Sequence, residues 1–138
     1  MLFKASFLAV LLAATAPLVA EAFRFREVDC EEDRYYLNPD VNRALERGFL
    51  STFKDTVGGF PRPFNGDRAI LHQECAESEL YEFPIVFRSP VYDGTFPPGP
   101  DRIVFTRHGI YCGVVTHTDD GFVACPEVLK RVIKLRMG

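Results

Sequence analysis

The sequence predicts a small α+β domain in which one N-terminal α-helix packs on a central antiparallel β-sheet. One stretch in the first half has apolar residues at helical spacing, and the second half consists of short β-like runs separated by turn residues. An even number of cysteines, four, follows a start that resembles a signal peptide. No internal repeat divides the 138 residues, so we expect one folded domain.

The N-terminus has the features of a secretory signal peptide. A start made positive by Lys4 precedes the apolar run Ala5–Val19, and Ala20 and Ala22 supply small residues at the positions that define cleavage. The run contains Pro17 and is shorter than the roughly 20 residues of a membrane-spanning helix. We expect cleavage after Ala22, with Ala20 as the alternative, and a secreted protein without a membrane segment. The predicted parts are a signal peptide (1–22), a folded domain (23–125) and a basic C-terminal extension (126–138).

A single amphipathic helix is predicted from Pro39 to Lys54. Asn38 suits the capping position, because its side-chain oxygen can accept a backbone hydrogen bond, and Pro39 suits the first helical turn. Apolar or small residues then recur at helical spacing: Val41, Ala44, Leu45, Gly48, Phe49 and Phe53. Pro61 and Pro63 prevent the helix from continuing.

Strands are predicted to dominate the second half of the chain. Five β-like runs are bounded by turn residues: Ala69–Gln73, Leu80–Phe87, Arg102–Thr106, Tyr111–Thr118 and Gly121–Cys125. The segment Ser89–Pro100 contains too much proline for a central strand and is expected to be a surface loop. The short connection Arg107–Gly109 predicts that the runs on either side of it pair as a hairpin.

Charge and cysteine content limit the possible functions. The net charge is −3, and removal of the signal peptide takes away one lysine and one glutamate, so the mature chain is not a polycation and any RNA chemistry must depend on a local site. Four cysteines in a small secreted chain favour two disulfides, with three possible pairings. The competing interpretation, a metal site, has little support, because no Cys-x-x-Cys spacing occurs and the three histidines are not spaced as ligands.

Three charged residues inside the β-like runs are the candidates for chemistry: Glu82, Arg102 and His117. Each alone has a structural interpretation, as a solvent-facing carboxylate, one half of an ion pair, or a satisfied strand histidine. Together they are a base, a cation and an acid on neighbouring strands. Such a set can move a proton off one oxygen and onto another across a phosphate.

The order of these segments resembles the fungal guanyl-specific ribonucleases, which are related to the ribotoxins and to barnase. The likeness covers about Cys30 to Cys125. Four segments carry it: Tyr81-Glu-Phe-Pro-Ile85, Gly99-Pro-Asp-Arg-Ile-Val-Phe105, Gly113-Val-Val-Thr-His-Thr118 and Gly121-Phe-Val-Ala-Cys125. They are similar to the family's strands with the catalytic glutamate, the phosphate-binding arginine and the catalytic histidine, and to its closing segment with the active-site phenylalanine.

The resemblance implies a microbial ribonuclease fold and a secreted endoribonuclease that cleaves single-stranded RNA to a 2′,3′-cyclic phosphate. Glu82 would take the proton from the ribose 2′-OH, and His117 would protonate the 5′-oxygen leaving group. Arg102 would bind the phosphoryl oxygens, and Phe122 would pack against the reacting phosphate. The resemblance implies no metal or other cofactor, and the need for a 2′-OH excludes DNA as a substrate. We expect a monomer.

Two departures from the family concern the substrate site. Where the family has Tyr-Pro-His, this chain has Phe60-Pro61-Arg62. Arg62 would place a permanent cation beside Glu82 but cannot exchange protons at neutral pH, so we expect activity to be lowered and not abolished. In the predicted guanine-binding loop, which begins at Asn65, Arg68 takes the place of the family's glutamate and Asp67 is the nearest carboxylate.

The family's disulfide between the N-terminal segment and the last strand implies a Cys30–Cys125 bond, which leaves Cys75 to pair with Cys112. Beyond Cys125 lies a basic tail with four cations: Lys130, Arg131, Lys134 and Arg136. This tail would either contact RNA phosphates as an added strand or helix, or cover a sheet edge.

A second function remains open from the sequence. A ribonuclease-like secreted fungal effector would keep the fold but use it to bind RNA or a host protein with little or no catalysis. Phe60 and Arg62 favour that alternative, whereas the intact Glu82, Arg102 and His117 favour the enzyme.

Overall fold

The computed structural model describes residues 24–31 and 33–131, so the predicted signal peptide and residues 132–138 of the basic extension lie outside the described residues. Residues Arg26–Val128 form one compact unit. Outside this unit the structure describes residues 24–25 and 129–131, which are in strands. Within the described residues, no helix has the length and apolar character needed to cross a membrane.

The described residues contain one α-helix, eight strands and two short 3-10 turns. In chain order the helix and the strands are β1 (Arg24–Cys30), β2 (Arg34–Tyr36), α1 (Asn38–Ser51), β3 (Arg62–Pro63), β4 (Leu80–Pro84), β5 (Asp101–Thr106), β6 (Tyr111–Thr118), β7 (Gly121–Ala124) and β8 (Glu127–Arg131). The strands form a three-stranded sheet in the order β2-β1-β8 and a five-stranded sheet in the order β3-β4-β5-β6-β7. All neighbours in the five-stranded sheet are antiparallel. The predicted α+β architecture, with one helix and an antiparallel sheet, is therefore present.

Helix α1 starts one residue earlier than predicted, and Asn38 is not its cap. Leu37 precedes the helix, and its backbone N–H donates to the carboxylate of Asp40 at 3.0 Å. The backbone N–H groups of Asp40 and Val41, which an Asn38 cap was expected to serve, donate to the carbonyl of Leu37 at 2.9 and 3.1 Å. The helix ends at Ser51 and not at Lys54. After Ser51 the backbone N–H groups of 52–54 donate to carbonyls three residues earlier, which is a tighter turn than an α-helix.

The apolar face of α1 packs on one side of the five-stranded sheet. Gly48 marks the closest approach, because a Cβ atom there would lie 2.8 Å from Cβ of Phe83 and 2.9 Å from the ring of Phe105. Val41 and Ala44 belong to the same buried core as Phe83. A second, smaller core on the opposite side of the sheet contains Phe64, Leu71, Cys75, Leu80, Val104, Cys112 and Val115. The sheet therefore has two covered faces, of which one carries the helix.

Most predicted strands are present, but one is wrong. Strand β6 has the predicted bounds and pairs with β5 as the expected hairpin, and the segment Ser89–Pro100 contains no strand. The predicted strand Ala69–Gln73 is instead part of two short 3-10 turns, Arg68–Ile70 and Gln73–Cys75. The carboxylate of Asp67 accepts the backbone N–H of Ala69 at 2.9 Å, and this local bond favours a turn over an extended strand.

Two disulfides staple the fold, Cys30–Cys125 and Cys75–Cys112. The first joins β1 to the residue after β7, and the second joins the 3-10 turn Gln73–Cys75 to β6. The C-terminal extension begins as strand β8, which ends at Arg131 and pairs within the three-stranded sheet.

A buried polar network fixes the start of β5. Asp101 is 1% exposed, and its carboxylate accepts hydrogen bonds from the hydroxyl of Tyr36 at 2.5 Å and from Nε of Arg34 at 2.8 Å. Nη2 of Arg34 also donates to Asp101 and to the hydroxyl of Thr116, at 3.2 Å each. Burial and the bond to Asp101 raise the pKa of Tyr36 well above its usual value. The network therefore ties β2 to the strand that carries Arg102.

Candidate active site

Strand register places the three candidate residues on one face of the five-stranded sheet. Glu82 in β4 lies opposite Val104 in β5. Arg102 precedes Val104 by two residues and therefore lies on the same face of that strand. Arg102 lies opposite Val115 in β6, and His117 is again two residues farther along that face. Glu82, Arg102 and His117 therefore form a diagonal across β4, β5 and β6, on the face opposite to helix α1.

The edge strands add two predicted residues to this face. Arg62 in β3 lies directly opposite Glu82, and Phe122 in β7 lies directly opposite His117. Side chains of directly opposed residues project from the same side of a sheet. The short edge strands thus extend the diagonal at both ends with a cation and an aromatic ring.

Glu82 is a buried carboxylate between two guanidinium groups. It is 2% exposed, and its Oε1 accepts a hydrogen bond from Nε of Arg62 at 3.0 Å. Nε of Arg102 lies 3.6 Å from the same oxygen, close enough for an ion pair but too far for a hydrogen bond. The opposite charges compensate the burial of the carboxylate.

The Arg102 guanidinium is held by the backbone of the preceding loop. Its Nη1 donates to the carbonyls of Pro98, Gly99 and Asp101 at 3.4, 2.6 and 2.9 Å. Its Nε is the one buried side-chain nitrogen or oxygen atom in the described part of the chain that has no hydrogen-bond partner. Burial lowers the pKa of Arg102, and the charge of Glu82 opposes that effect, so the group stays cationic at neutral pH. An unused, buried donor beside the candidate base is suited to an added acceptor such as a phosphate oxygen.

Phe60 supports both arginines and does not face the solvent. Its ring is 4% exposed, and the guanidinium carbons of Arg62 and Arg102 lie 4.5 and 4.9 Å from its centroid. Both contacts are within the range of cation–π interactions. Phe60 was predicted to bind substrate, and in the structure it is a buried ring in contact with both arginines of the candidate site.

His117 and Phe122 occupy the other end of the diagonal. The His117 side chain is exposed, and its ring meets the ring of Phe122 edge-on with centroids 5.0 Å apart. Phe122 is half-buried and also contacts Phe64, at a centroid distance of 5.4 Å. An exposed imidazole oriented by aromatic contacts can exchange protons with a bound molecule.

The loop predicted to bind the base lies against this aromatic pair. A Cβ atom on Gly66 would lie 2.4 Å from the ring of Phe64 and 3.1 Å from the ring of Phe122, so only glycine fits here. Asn65 and Asp67 are both exposed. Asp67 Oδ1 accepts the N–H of Ala69, and Arg68 is bound to the carbonyls of residues 76 and 78, so both charged side chains also fix the loop.

Sequence analysis missed the residues that support the site. Strand β5 begins at Asp101, one residue before the predicted run Arg102–Thr106. A charged residue inside a strand indicates a site residue, so the correct strand start would have identified Asp101. Tyr92 gave a weaker signal, as an aromatic residue in a proline-rich loop. It is buried, and its ring packs on Phe60 and Phe83 at centroid distances of 5.9 Å each.

The one cluster of possible metal ligands among the described residues is not suited to bind a metal ion. Among the described residues, one group has the donor types and spacing of a metal site, namely Cys30, Asp101 and Cys125. Both of its sulfurs form a disulfide with each other, so they cannot act as thiolate ligands.

Comparisons with known proteins identify relatives of the whole folded region. A family model described as ribonuclease matches residues 25–126. The chain is 33% identical to the guanyl-specific ribonuclease Pc of Penicillium chrysogenum over 94 residues, which is 65% of this chain and 89% of that protein. It is 34% identical to the guanyl-specific ribonuclease T1 of Aspergillus oryzae over 96 residues, which covers 65% and 72% of the two chains.

A solved structure gives the same result. The ribonuclease of Hericium erinaceus superposes with a TM-score of 0.55 at 28% sequence identity, and the match covers 72% of this chain and 98% of that one. The expected microbial ribonuclease fold and the resemblance to guanyl-specific ribonucleases are thereby confirmed, and with them the expectation of an endoribonuclease. The chain belongs to the ribonuclease family.

Proposed function

We propose that this protein is a secreted endoribonuclease that cleaves single-stranded RNA by transesterification and leaves a 2′,3′-cyclic phosphate. Glu82 acts as the general base toward the ribose 2′-OH, and His117 acts as the general acid toward the 5′-oxygen leaving group. The observation that carries the proposal is the diagonal of Glu82, Arg102 and His117 on one sheet face. It provides a base, a cation and an acid in the order that an in-line displacement at phosphorus requires.

The roles follow from the surroundings of each group. The carboxylate of Glu82 takes the 2′-OH proton, the 2′-oxygen forms a bond to phosphorus, and the bond from phosphorus to the 5′-oxygen breaks. His117 gives its proton to that departing oxygen. Arg102 and Arg62 bear the charge that grows on the phosphoryl oxygens, and Phe122 packs against the phosphate and limits its contact with water. Slower hydrolysis of the cyclic phosphate uses the same pair in reversed roles.

We propose guanosine as the preferred base on the 5′ side of the cleaved bond. The similar ribonucleases Pc and T1 are guanyl-specific. The exposed loop with Asn65 and Asp67 lies beside Phe122, and the hydrogen bond donated by Ala69 N–H uses one of the two carboxylate oxygens of Asp67. A carboxylate suits guanine because two neighbouring N–H donors lie on its Watson–Crick edge.

Secretion is supported by the signal-like residues 1–22 and by the two disulfides, since such bonds persist in oxidising compartments. Mass spectrometry of the protein secreted by a eukaryotic host checks this proposal. A mature chain that starts at Phe23 is expected, and a chain that stays inside the cell with an intact Met1 would contradict it.

The activity test measures cleavage of a single-stranded RNA by the purified protein, with detection of the cyclic phosphate end. The variants Glu82→Gln and His117→Gln are each expected to lower the rate by about 10²–10⁴-fold, since each removes one general catalyst. Activity should persist in the presence of a chelator, because the two side chains handle both protons.

Matched controls use an exposed carboxylate and an exposed histidine near the same strands. Glu79 precedes β4, and His108 lies in the β5–β6 turn. Glu79→Gln and His108→Gln should cleave like the unchanged protein. If Glu82→Gln cleaved as fast as the unchanged protein, the assigned base would be wrong.

A second candidate function is RNA or host-protein binding without turnover. Glu82 is almost completely buried, and Oε1 already accepts a hydrogen bond from Arg62, which is the arrangement of a structural ion pair. The same assay separates the candidates. A binding protein would retain the RNA with no more cleavage than the Glu82→Gln variant.

A further inference from the structure

We propose that Phe60 is a positioning residue whose ring holds Arg62 and Arg102 as a two-armed clamp for one phosphate group. The inference deepens the proposed function and rests on it for the identity of the substrate. The two residues that replace the family's tyrosine and histidine, Phe60 and Arg62, are thereby given a joint role in phosphate binding.

The geometry of the three side chains supports the clamp. Arg62 and Arg102 come from strands β3 and β5, which lie on either side of β4, yet both guanidinium groups contact the same buried ring, at 4.5 and 4.9 Å. Both also direct Nε toward the same oxygen of Glu82, at 3.0 and 3.6 Å. The ring and the carboxylate therefore hold the two cations from two sides.

The charge of this cluster favours an anion. Two cations with one carboxylate leave a net charge of +1, and the mutual repulsion of the arginines contributes to the lowered pKa of Arg102. The π face of Phe60 offsets part of this repulsion, which an aliphatic side chain of similar size cannot do. A bound phosphate would relieve the rest.

Hydrogen-bond donors remain for the ligand. A guanidinium has five N–H groups, and the hydrogen bonds within the described residues use Nε of Arg62 and Nη1 of Arg102. Nε of Arg102 is buried and lacks a partner. Arg62 is about half exposed, so its outer N–H groups can meet a phosphate that arrives from solvent.

The Phe60 ring is held in place by a cluster of aromatic rings. Its ring packs edge-on against Tyr92, which in turn contacts Phe83 and Phe96. A ring fixed in this way presents its face in one orientation. The aromatic core therefore fixes the position of the clamp and limits the movement of the two long arginine side chains.

The test is titration of inorganic phosphate into the purified full chain, followed by NMR of the arginine Nε–H signals. We expect the signals of both Arg62 and Arg102 to shift together and saturate with one dissociation constant. Because this measurement uses the unchanged protein, it does not depend on how any variant folds. A shift of the Arg102 signal alone, or of neither signal, would overturn the clamp.

Variants then assign the role of the ring. Phe60→Leu keeps a buried apolar side chain but removes the π face, and it should weaken phosphate binding about tenfold, with a matching rise in KM for RNA and a smaller effect on kcat. Phe60→Tyr keeps an aromatic ring and should bind phosphate as tightly as the unchanged protein does. Phe105→Leu changes a buried phenylalanine of the same core, whose ring stacks on Tyr81, so it is the control for general loss of packing and should bind phosphate normally.

The outcomes distinguish the clamp from the proposed function. RNA cleavage with equal phosphate affinity in the unchanged protein and in Phe60→Leu would refute the role of Phe60 and leave the enzyme standing. Binding of one phosphate by both arginines, without any RNA cleavage, would support the clamp and refute the enzyme.

Discussion

At the scale of single residues, two buried carboxylates show how the same chemistry serves different purposes. Asp101 accepts hydrogen bonds from a tyrosine hydroxyl and an arginine, and its environment is saturated. Glu82 accepts one hydrogen bond, while Nε of Arg102 stays 3.6 Å away without a partner. A saturated network stabilises a fold, whereas donors that remain unsatisfied at a charged site favour ligand binding.

Replacement of Asp101 tests the structural role of its network. Asp101→Ala leaves the Tyr36 hydroxyl and the Arg34 guanidinium without their shared acceptor, so we expect the free energy of unfolding to fall by about 3 kcal/mol or more. Urea denaturation measures this change. Asp55→Ala, at an exposed position after the helix, should change stability by less than about 0.5 kcal/mol and serves as the control. Equal effects of the two variants would mean that the network contributes nothing specific.

The sequence was sufficient to find the candidate residues but not the contacts that position them. Glu82, Arg102 and His117 were recognisable because a charged residue in an otherwise apolar strand costs free energy unless it is paired or has a function. The contact of Phe60 with the Arg102 guanidinium was not predictable, because these two residues are far apart in the chain. Asp67 was assigned to substrate alone, and its hydrogen bond to Ala69 depends on a backbone conformation that a residue pattern does not encode.

At the scale of elements, the sheet was predicted better than its edges. The β5–β6 hairpin followed from two apolar runs around a tight connection. Strands β1 and β2 were not predicted, because β2 has three residues and β1 has few apolar residues in an alternating pattern. They pair with each other as a short hairpin in which Cys30 lies opposite Arg34, and the connection Glu31-Glu32-Asp33 contains no glycine or asparagine that would have indicated the turn.

The contact between α1 and the sheet gives a prediction at this scale. Gly48→Ala improves helix propensity by about 1 kcal/mol, but the added methyl group would lie 2.8 Å from Cβ of Phe83, which cannot rotate away. Overpacking of this kind costs about 1–3 kcal/mol, so we expect a net loss of stability. Thermal unfolding measures it. Asn42→Ala, on the exposed face of the same helix, should instead raise the melting temperature slightly.

At the scale of the whole molecule, a net charge of −3 has to be reconciled with a polyanionic substrate. The cations that face the candidate base are Arg62 and Arg102, and both are fixed by neighbouring groups. A protein of this kind binds RNA through a few localised contacts and gains little from long-range attraction. The strength of its salt dependence therefore reports how many RNA phosphates its cations neutralise.

One phosphate held by two cations predicts a weak salt dependence. For single-stranded RNA, each neutralised phosphate contributes about −0.7 to the slope of log K against log salt, so a slope of about −0.7 is expected. Affinity should then fall only about threefold between 50 and 200 mM salt. Fluorescence anisotropy with a 2′-O-methyl RNA, which has no 2′-OH to react, measures binding without cleavage.

The same measurement decides whether the basic C-terminal extension takes part. If Lys130, Arg131, Lys134 and Arg136 each also neutralised a phosphate, the slope would approach about −3.5, and replacing all four with glutamine would return it to about −0.7. Because residues 127–131 already pair as a strand within the three-stranded sheet, we expect the extension to cover a sheet edge and the slope to stay the same in the glutamine variant. A steep slope that the substitutions abolish would assign the extension to RNA binding and contradict this expectation.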